Sequence, residues 1–314
     1  DPASIMPQIQ PVSSELVVIG WPLVEQASDK IEISGVWGAG MFVGSVGLQL
    51  NNLSIKNFFK KGAWRPYPQG QNQQLVIRAQ TNGSYYSSFM GSFTEPWLGG
   101  KKPNALTITA YYSNQTDSYQ WGGIFHKGNS HFRTIGVAAG LGRRLSWPDP
   151  YFTLYYELGY TAYDLKDWQM FSNFDNGLSN IITFKAIFGR STVNDPIYPS
   201  YGSDFSLSLT LTPPYSLWDG KDYKNMSPDD PSKYKWIEYH KWTAKAQWFL
   251  PLTPDRKLVL MARAEMGYLG HYNKYKQSPF EGFDVGGDGL TGYNNCGVEL
   301  SALRGYSDGH RTPY

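Results

Sequence analysis

The chain has 314 residues, with only 17% charged side chains but 16% aromatic ones, and a mean hydropathy of −0.43. That balance excludes disorder, which is charged and poor in aromatics, and a coiled coil, which needs Ala, Glu, Lys and Leu in bulk. A net charge of +2 without a basic stripe argues against nucleic acid as a partner, and no apolar run reaches the roughly 18 residues of a membrane helix.

A large all-β protein remains, and the pattern of side chains locates its strands. The spacing predicts about eleven, over residues 31–39, 41–50, 73–81, 85–94, 105–113, 131–145, 151–164, 179–191, 204–211, 237–250 and 257–269. The stretch Phe205-Ser206-Leu207-Ser208-Leu209-Thr210-Leu211-Thr212 shows why. Successive side chains of a strand point to opposite faces, so one face is apolar and the other carries hydroxyls. Leu258, Leu260, Ala262, Ala264, Met266 and Tyr268 likewise share a face opposite Arg263 and Glu265. Trp242, Ala244, Ala246, Trp248 and Leu250 lie opposite Lys241, Thr243, Lys245 and Gln247. Between strands, short turns such as Trp147-Pro148-Asp149-Pro150 and Thr253-Pro254-Asp255 alternate with longer polar stretches at 114–129, 215–235 and after Gly270.

Two all-β architectures fit alternation with turns: a soluble sandwich and a transmembrane antiparallel β-barrel. The barrel is favoured by aromatics near strand ends, among them Trp97, Trp147, Tyr151 and Trp248, which suit the girdles at membrane interfaces. Long polar groups on the wet faces, such as Arg78, Glu157, Lys185 and Lys245, suit a hydrated lumen. In that reading Phe205, Leu207, Leu209, Leu211, Leu260, Ala262 and Ala264 face lipid, and Ser206, Ser208, Thr210, Arg263 and Glu265 face the lumen. The single cysteine, Cys296, rules out a disulfide within the chain. The opening Asp1-Pro2-Ala3-Ser4 lacks the basic segment and apolar core of a signal peptide, so a mature product or a fragment is expected.

Three stretches sharpen the reading. Tyr86 to Leu98 ends in Thr94-Glu95-Pro96-Trp97, Phe283-Asp284-Val285-Gly286-Gly287 is an aromatic-x-x-Gly-Gly element, and Leu303-Arg304-Gly305-Tyr306 is a hydrophobic-Arg-Gly-aromatic motif. In this order, behind a ladder of strands, they resemble the BamA family of outer-membrane assembly factors: the fourth strand, then two elements of the sixth extracellular loop. The likeness runs from Pro22 onward. It departs at the residues from Asp288 to Leu303, which lengthen the loop and suggest a Bacteroidota-type member.

The resemblance implies a barrel of sixteen strands, about eleven of them present, with the chain ending inside loop 6. Roughly five C-terminal strands are then expected beyond it, because an open sheet leaves unpaired backbone groups in lipid. Residues 1–24, including Glu15-Leu16-Val17-Val18-Ile19, look like the end of a periplasmic POTRA domain, and residues 25–314 like the N-terminal part of the barrel. The implied function is insertion of outer-membrane proteins into the bacterial outer membrane without ATP, with the N-terminal end on the periplasmic side. The partners implied are lipoprotein subunits of an assembly complex, unfolded client proteins and the lipid bilayer. A relative that secretes a polypeptide or helps assemble autotransporters remains an alternative, and an ordinary porin or transporter a third.

The site residues follow from the resemblance. Arg304 is expected in the lumen, held by acidic groups of late strands, with Gly305 permitting the tight backbone and Tyr306 packing on the wall. Phe283, Gly286 and Gly287 form the preceding element of the loop. The first strand, Ile31-Glu32-Ile33-Ser34-Gly35-Val36-Trp37-Gly38, is expected at the lateral gate, where an edge strand templates an incoming one. No catalytic, metal or cofactor site is expected: the five histidines lack metal-ligand spacing, and Glu157 and Glu265 read as solvated lumen carboxylates or partners of a nearby arginine such as Arg263.

Overall fold

A computed structural model describes residues 8–11, 17–20, 29–38, 41–83, 85–100, 102–121, 124–168, 171, 174–227, 230–287, 297–303, 305–306 and 310–311. Strands β1 (Gln8–Pro11) and β2 (Val17–Gly20) form an antiparallel pair of their own. The main sheet has eleven strands: β3 (Lys30–Gly38), β4 (Met41–Leu53), β5 (Gln73–Asn82), β6 (Tyr86–Glu95), β7 (Asn104–Trp121), β8 (Ile124–Arg144), β9 (Phe152–Lys166), β10 (Gly177–Ser191), β11 (Gly202–Leu211), β12 (His240–Pro251) and β13 (Val259–Gly270). Each pairs antiparallel with its neighbours in the chain, so sheet order is sequence order, with β3 and β13 at the two edges. A third sheet places β14 (Glu281–Val285) between β15 (Gly297–Ser301), parallel to it, and β16 (His310–Arg311), antiparallel.

Register turns the alternation of single strands into a continuous surface. Leu209 stands opposite Ala186 on β10 and Trp242 on β12, and Leu207 opposite Phe188 and Ala244. Followed across the sheet, the same face carries Met266 and Tyr268 on β13, Leu158 on β9, Val137 on β8, Ile108 on β7 and Ile31 and Ile33 on β3. These side chains are open to their surroundings: Ile33 is 76% exposed and Leu158 61%. An apolar face this wide is stable only in hydrocarbon, since each Å² kept in water costs about 25 cal/mol. A sandwich would bury it under a second sheet, but the smaller sheet that packs on these strands lies on the opposite, polar face, beside Lys241 and Thr243. The eleven-stranded sheet is therefore the wall of a membrane β-barrel.

Three expectations about the connections need correction. Residues 114–121 and 124–129 are strand, not loop: β7 and β8 run on as a paired ribbon to Trp121 and Ile124. Polar side chains suit a strand with water on both faces, and there Asp117 Oδ1 accepts the amide of Ser130 at 3.0 Å and Arg133 Nε donates to Asn114 Oδ1 at 3.2 Å. Short and long connections do not sort cleanly by end, because the long connection 54–72 lies at the end of the otherwise short turns 96–103, 145–151, 192–201 and 252–258. The stretch after Gly270 contains the three short strands β14 to β16.

Inside the wall, at the end of the connections 167–176, 212–239 and 271–280, a packed core forms from Phe132, Tyr163, Leu165, Trp168, Phe171, Phe174, Ile181, Tyr234, Ile237, Tyr239 and Phe280. Phe280 is its centre, fully buried, with ring centroids 4.5 Å from Tyr163 and 5.0 Å from Phe171. That anchor fixes where β14 begins.

Candidate functional site

Glu281 follows Phe280 directly and is carried with it onto the inner face of β12. The Lys241 Nζ lies 3.2 Å from Glu281 Oε2 and 3.3 Å from Glu299 Oε1, and it donates to the Gly297 carbonyl at 2.5 Å. Lys241 and Glu281 side chains are each only 6% exposed. Burial pushes the Glu281 carboxyl above its ordinary range, against the pull of the neighbouring ammonium and the Tyr239 hydroxyl. A buried ion pair of this kind contributes position more than net stability, because desolvation offsets most of the attraction. One lysine thus ties β12 to both β14 and β15.

Two residues on, Phe283 lies against Gly267 of β13, with Lys241 Nζ 4.8 Å from its ring centroid. Farther along the same face Ser301 Oγ donates to Glu265 Oε2, and Arg263 Nη2 pairs with Glu265 Oε1 at 2.5 Å. Glu265 is therefore a partner of Arg263, as its spacing suggested. Glu157, four strands away on β9, accepts from Tyr155 at 2.6 Å. The two carboxylates do not form a pair.

After β14 the backbone turns sharply at Gly286 (φ 132°) and Gly287 (φ 70°), values that side chains with a Cβ rarely adopt. The turn returns the chain to the arginine motif. Gly286 N donates to the Ser301 carbonyl at 3.0 Å, Gly287 N to the Tyr306 carbonyl at 2.9 Å, and Gly287 bridges to Leu303. Gly305 has φ 91°, and Tyr306 is 62% exposed. The structure thus brings the aromatic-Gly-Gly element and the flanks of the Leu-Arg-Gly-Tyr motif together, whereas Arg304 itself lies outside the described residues.

At the far edge of the sheet, β3 has one strand neighbour among the described residues, β4. Ser34 and Ser45 share a hydrogen bond at 2.8 Å, and Arg78 reaches Glu32 at 3.9 Å across Gly47. The backbone of Ile31 to Gly38 on its other side offers the N–H and C=O groups of an edge.

Lys241, Gly267, Glu281 and Glu299 were not singled out from the sequence. Lys241 reads there as one more wet-face residue of β12, and no local pattern joins it to acids 40 and 58 positions later. The only available signal was that the loop holding the two motifs also holds two glutamates flanked by apolar residues, Phe280-Glu281 and Val298-Glu299-Leu300.

An antiparallel meander with an apolar outer face, and a polar inner face on which its own loop docks at β12 and β13, defines an outer-membrane β-barrel. A family model described as the Omp85 superfamily domain matches residues 69–313, and the chain belongs to that superfamily. Its fold is shared with the crystal structure of BamA from Haemophilus ducreyi lacking POTRA domains 1–3, with a TM-score of 0.55 and 18% identity over 91% of this chain and 50% of that one. The chain therefore spans about half the length of that structure. No curated protein sequence matches it.

Proposed function

We propose that this chain is the N-terminal part of the barrel of a BamA-type insertase, which folds and inserts β-barrel proteins of the outer membrane by templating their strands at a lateral gate. The observation that supports it most is the place of β3: it is the first strand of an Omp85-superfamily wall, so its far side faces the seam with the last strand, where its backbone groups could be offered to an incoming strand before that strand meets lipid. Pairing of this kind uses backbone geometry alone and needs no nucleotide. The docked segment Glu281–Val285, with Gly287, Leu303 and Tyr306 beside it, would stiffen the opposite part of the wall while β3 opens. In this reading residues 1–24 end a periplasmic POTRA domain, the N-terminal end lies in the periplasm, and the partners are lipoprotein subunits of an assembly complex and unfolded client proteins. The test is a disulfide between a cysteine at Ser34 and one on the last strand of the full-length protein. Locking the seam should abolish assembly of outer-membrane clients, with recovery on reduction. Normal client assembly in the locked protein would remove the gate from the mechanism.

A further inference from the structure

The connection 54–72 is too well built to be an idle turn. Leu53 bridges to Gln69, Ser54 N donates to the Pro68 carbonyl at 2.9 Å, Ile55 N to Gln73 Oε1 at 2.8 Å, and Asn57 Nδ2 to the Gln69 carbonyl at 3.0 Å. Asp29, just before β3, joins this connection to the end of β4: its carboxylate accepts the amide of Asn51 at 2.9 Å and the Tyr67 hydroxyl at 2.6 Å. Burial, together with Asp29, pushes the Tyr67 hydroxyl up to about 12, so it remains a donor.

What this frame presents is unusual. Phe58, Phe59 and Trp64 pack only edge to edge, with ring centroids 5.5 Å and 4.9 Å apart, and Trp64 Nε1 is tied to the Phe58 carbonyl at 3.1 Å. Phe59 is 92% exposed. Around them stand Lys56, Lys60, Lys61 and Arg65, all exposed, and no acidic residue occurs anywhere in 54–72.

We infer that this connection is an anchor for the headgroups of anionic phospholipids at the rim of the barrel. Charge and position both point there. Four cations in a segment that carries no carboxylate of its own match phosphate, and aromatic rings on an amphipathic element favour the boundary between headgroup and acyl chain. The other connections at this end carry the same signature: Trp97 is 51% exposed, Trp147 82% and Tyr198 82%, so the end lies at a membrane interface. Phe59 projects furthest from a small exposed cluster with Phe58 and Trp64, ringed by cations, the arrangement of an amphipathic element at a lipid surface. Because Asp29 links this frame to the start of β3, the anchor would hold lipid beside the edge strand.

The full-length protein in lipid nanodiscs tests this directly. Phe59→Cys, combined with Cys296→Ser to leave one thiol, is labelled with a small fluorophore whose quenching by neutral acrylamide reports exposure to water. Phe59 makes little packing contact, so the label does not disturb folding, and heat-modifiable migration checks that the barrel is intact. In discs containing phosphatidylglycerol, quenching should fall about threefold relative to pure phosphatidylcholine, because each basic residue near an anionic surface strengthens attraction about fivefold. The combined change Lys56→Gln, Lys60→Gln, Lys61→Gln and Arg65→Gln should abolish that difference. Equal quenching in both lipids would overturn the proposal. So would protection that appears only when soluble partner subunits are added, which would make the projection a protein contact.

Discussion

The ring of Phe283 occupies the space that a side chain at position 267 would need: a Cβ built on Gly267 would stand 2.6 Å from the ring. A strand of the barrel wall and a segment of the long loop are thus matched by the absence of one methyl group. Lys241 completes the match, with its ammonium over the same ring and between the carboxylates of Glu281 and Glu299.

Gly267→Val should therefore displace Phe283 without unfolding the wall. Overpacking costs about 1–3 kcal/mol, enough to release β14 and the turn behind it. Protease cleavage within 271–303 should increase while the barrel remains resistant, and Phe283→Ala should restore part of the protection in the double variant. Unchanged cleavage in Gly267→Val would mean the ring is not held there.

Lys241→Met should be more damaging and should depend on pH. Removing one partner of a buried pair costs about 3–5 kcal/mol, because the other charge is left unpaired. The Glu281 carboxyl already lies above its ordinary range through burial, and losing the ammonium raises it further. The docked segment then holds a proton more tightly than the released one. Docking should return as pH falls through the raised value and disappear as pH rises above it. Glu281→Gln in the same background should recover docking at neutral pH; protease protection against pH reads both.

On the outer face, Leu207→Arg places a charge where the register puts Leu207 between Phe188 and Ala244. Arginine near the bilayer midplane costs about 2–4 kcal/mol. Ser206→Gln, on the inner face one position away, should change stability by less than about 0.5 kcal/mol. Urea titrations of the barrel refolded into vesicles would distinguish them, and equal losses would place both residues in water.

Arg304 is tested by charge and by shape. If it sits in the lumen among carboxylates, Arg304→Ala should lower outer-membrane client levels and expose the loop to protease. Arg304→Lys should rescue only in part, since an ammonium cannot reproduce the two parallel hydrogen bonds of a guanidinium. Normal client levels with a protected loop in Arg304→Ala would reduce it to a surface arginine.

All eleven strands of the wall were legible in the sequence to within a few residues at most ends, because a strand with one apolar and one wet face alternates with a period of two, whatever covers the apolar face. Phe205 to Leu211 gave both faces of β11 correctly without any knowledge of its neighbours. The ribbon at 114–129 was misread because polar residues carry no period when both sides of a strand meet water, and only the pairing of β7 with β8 decided it. The docked loop lay further from reach. Lys241, Gly267, Glu281 and Glu299 acquire meaning only when Phe280, sunk in the core, carries β14 onto β12 and β13. Alternation is a property of one strand in its solvent and is written locally; a contact between residues dozens of positions apart exists only once the chain has closed around it.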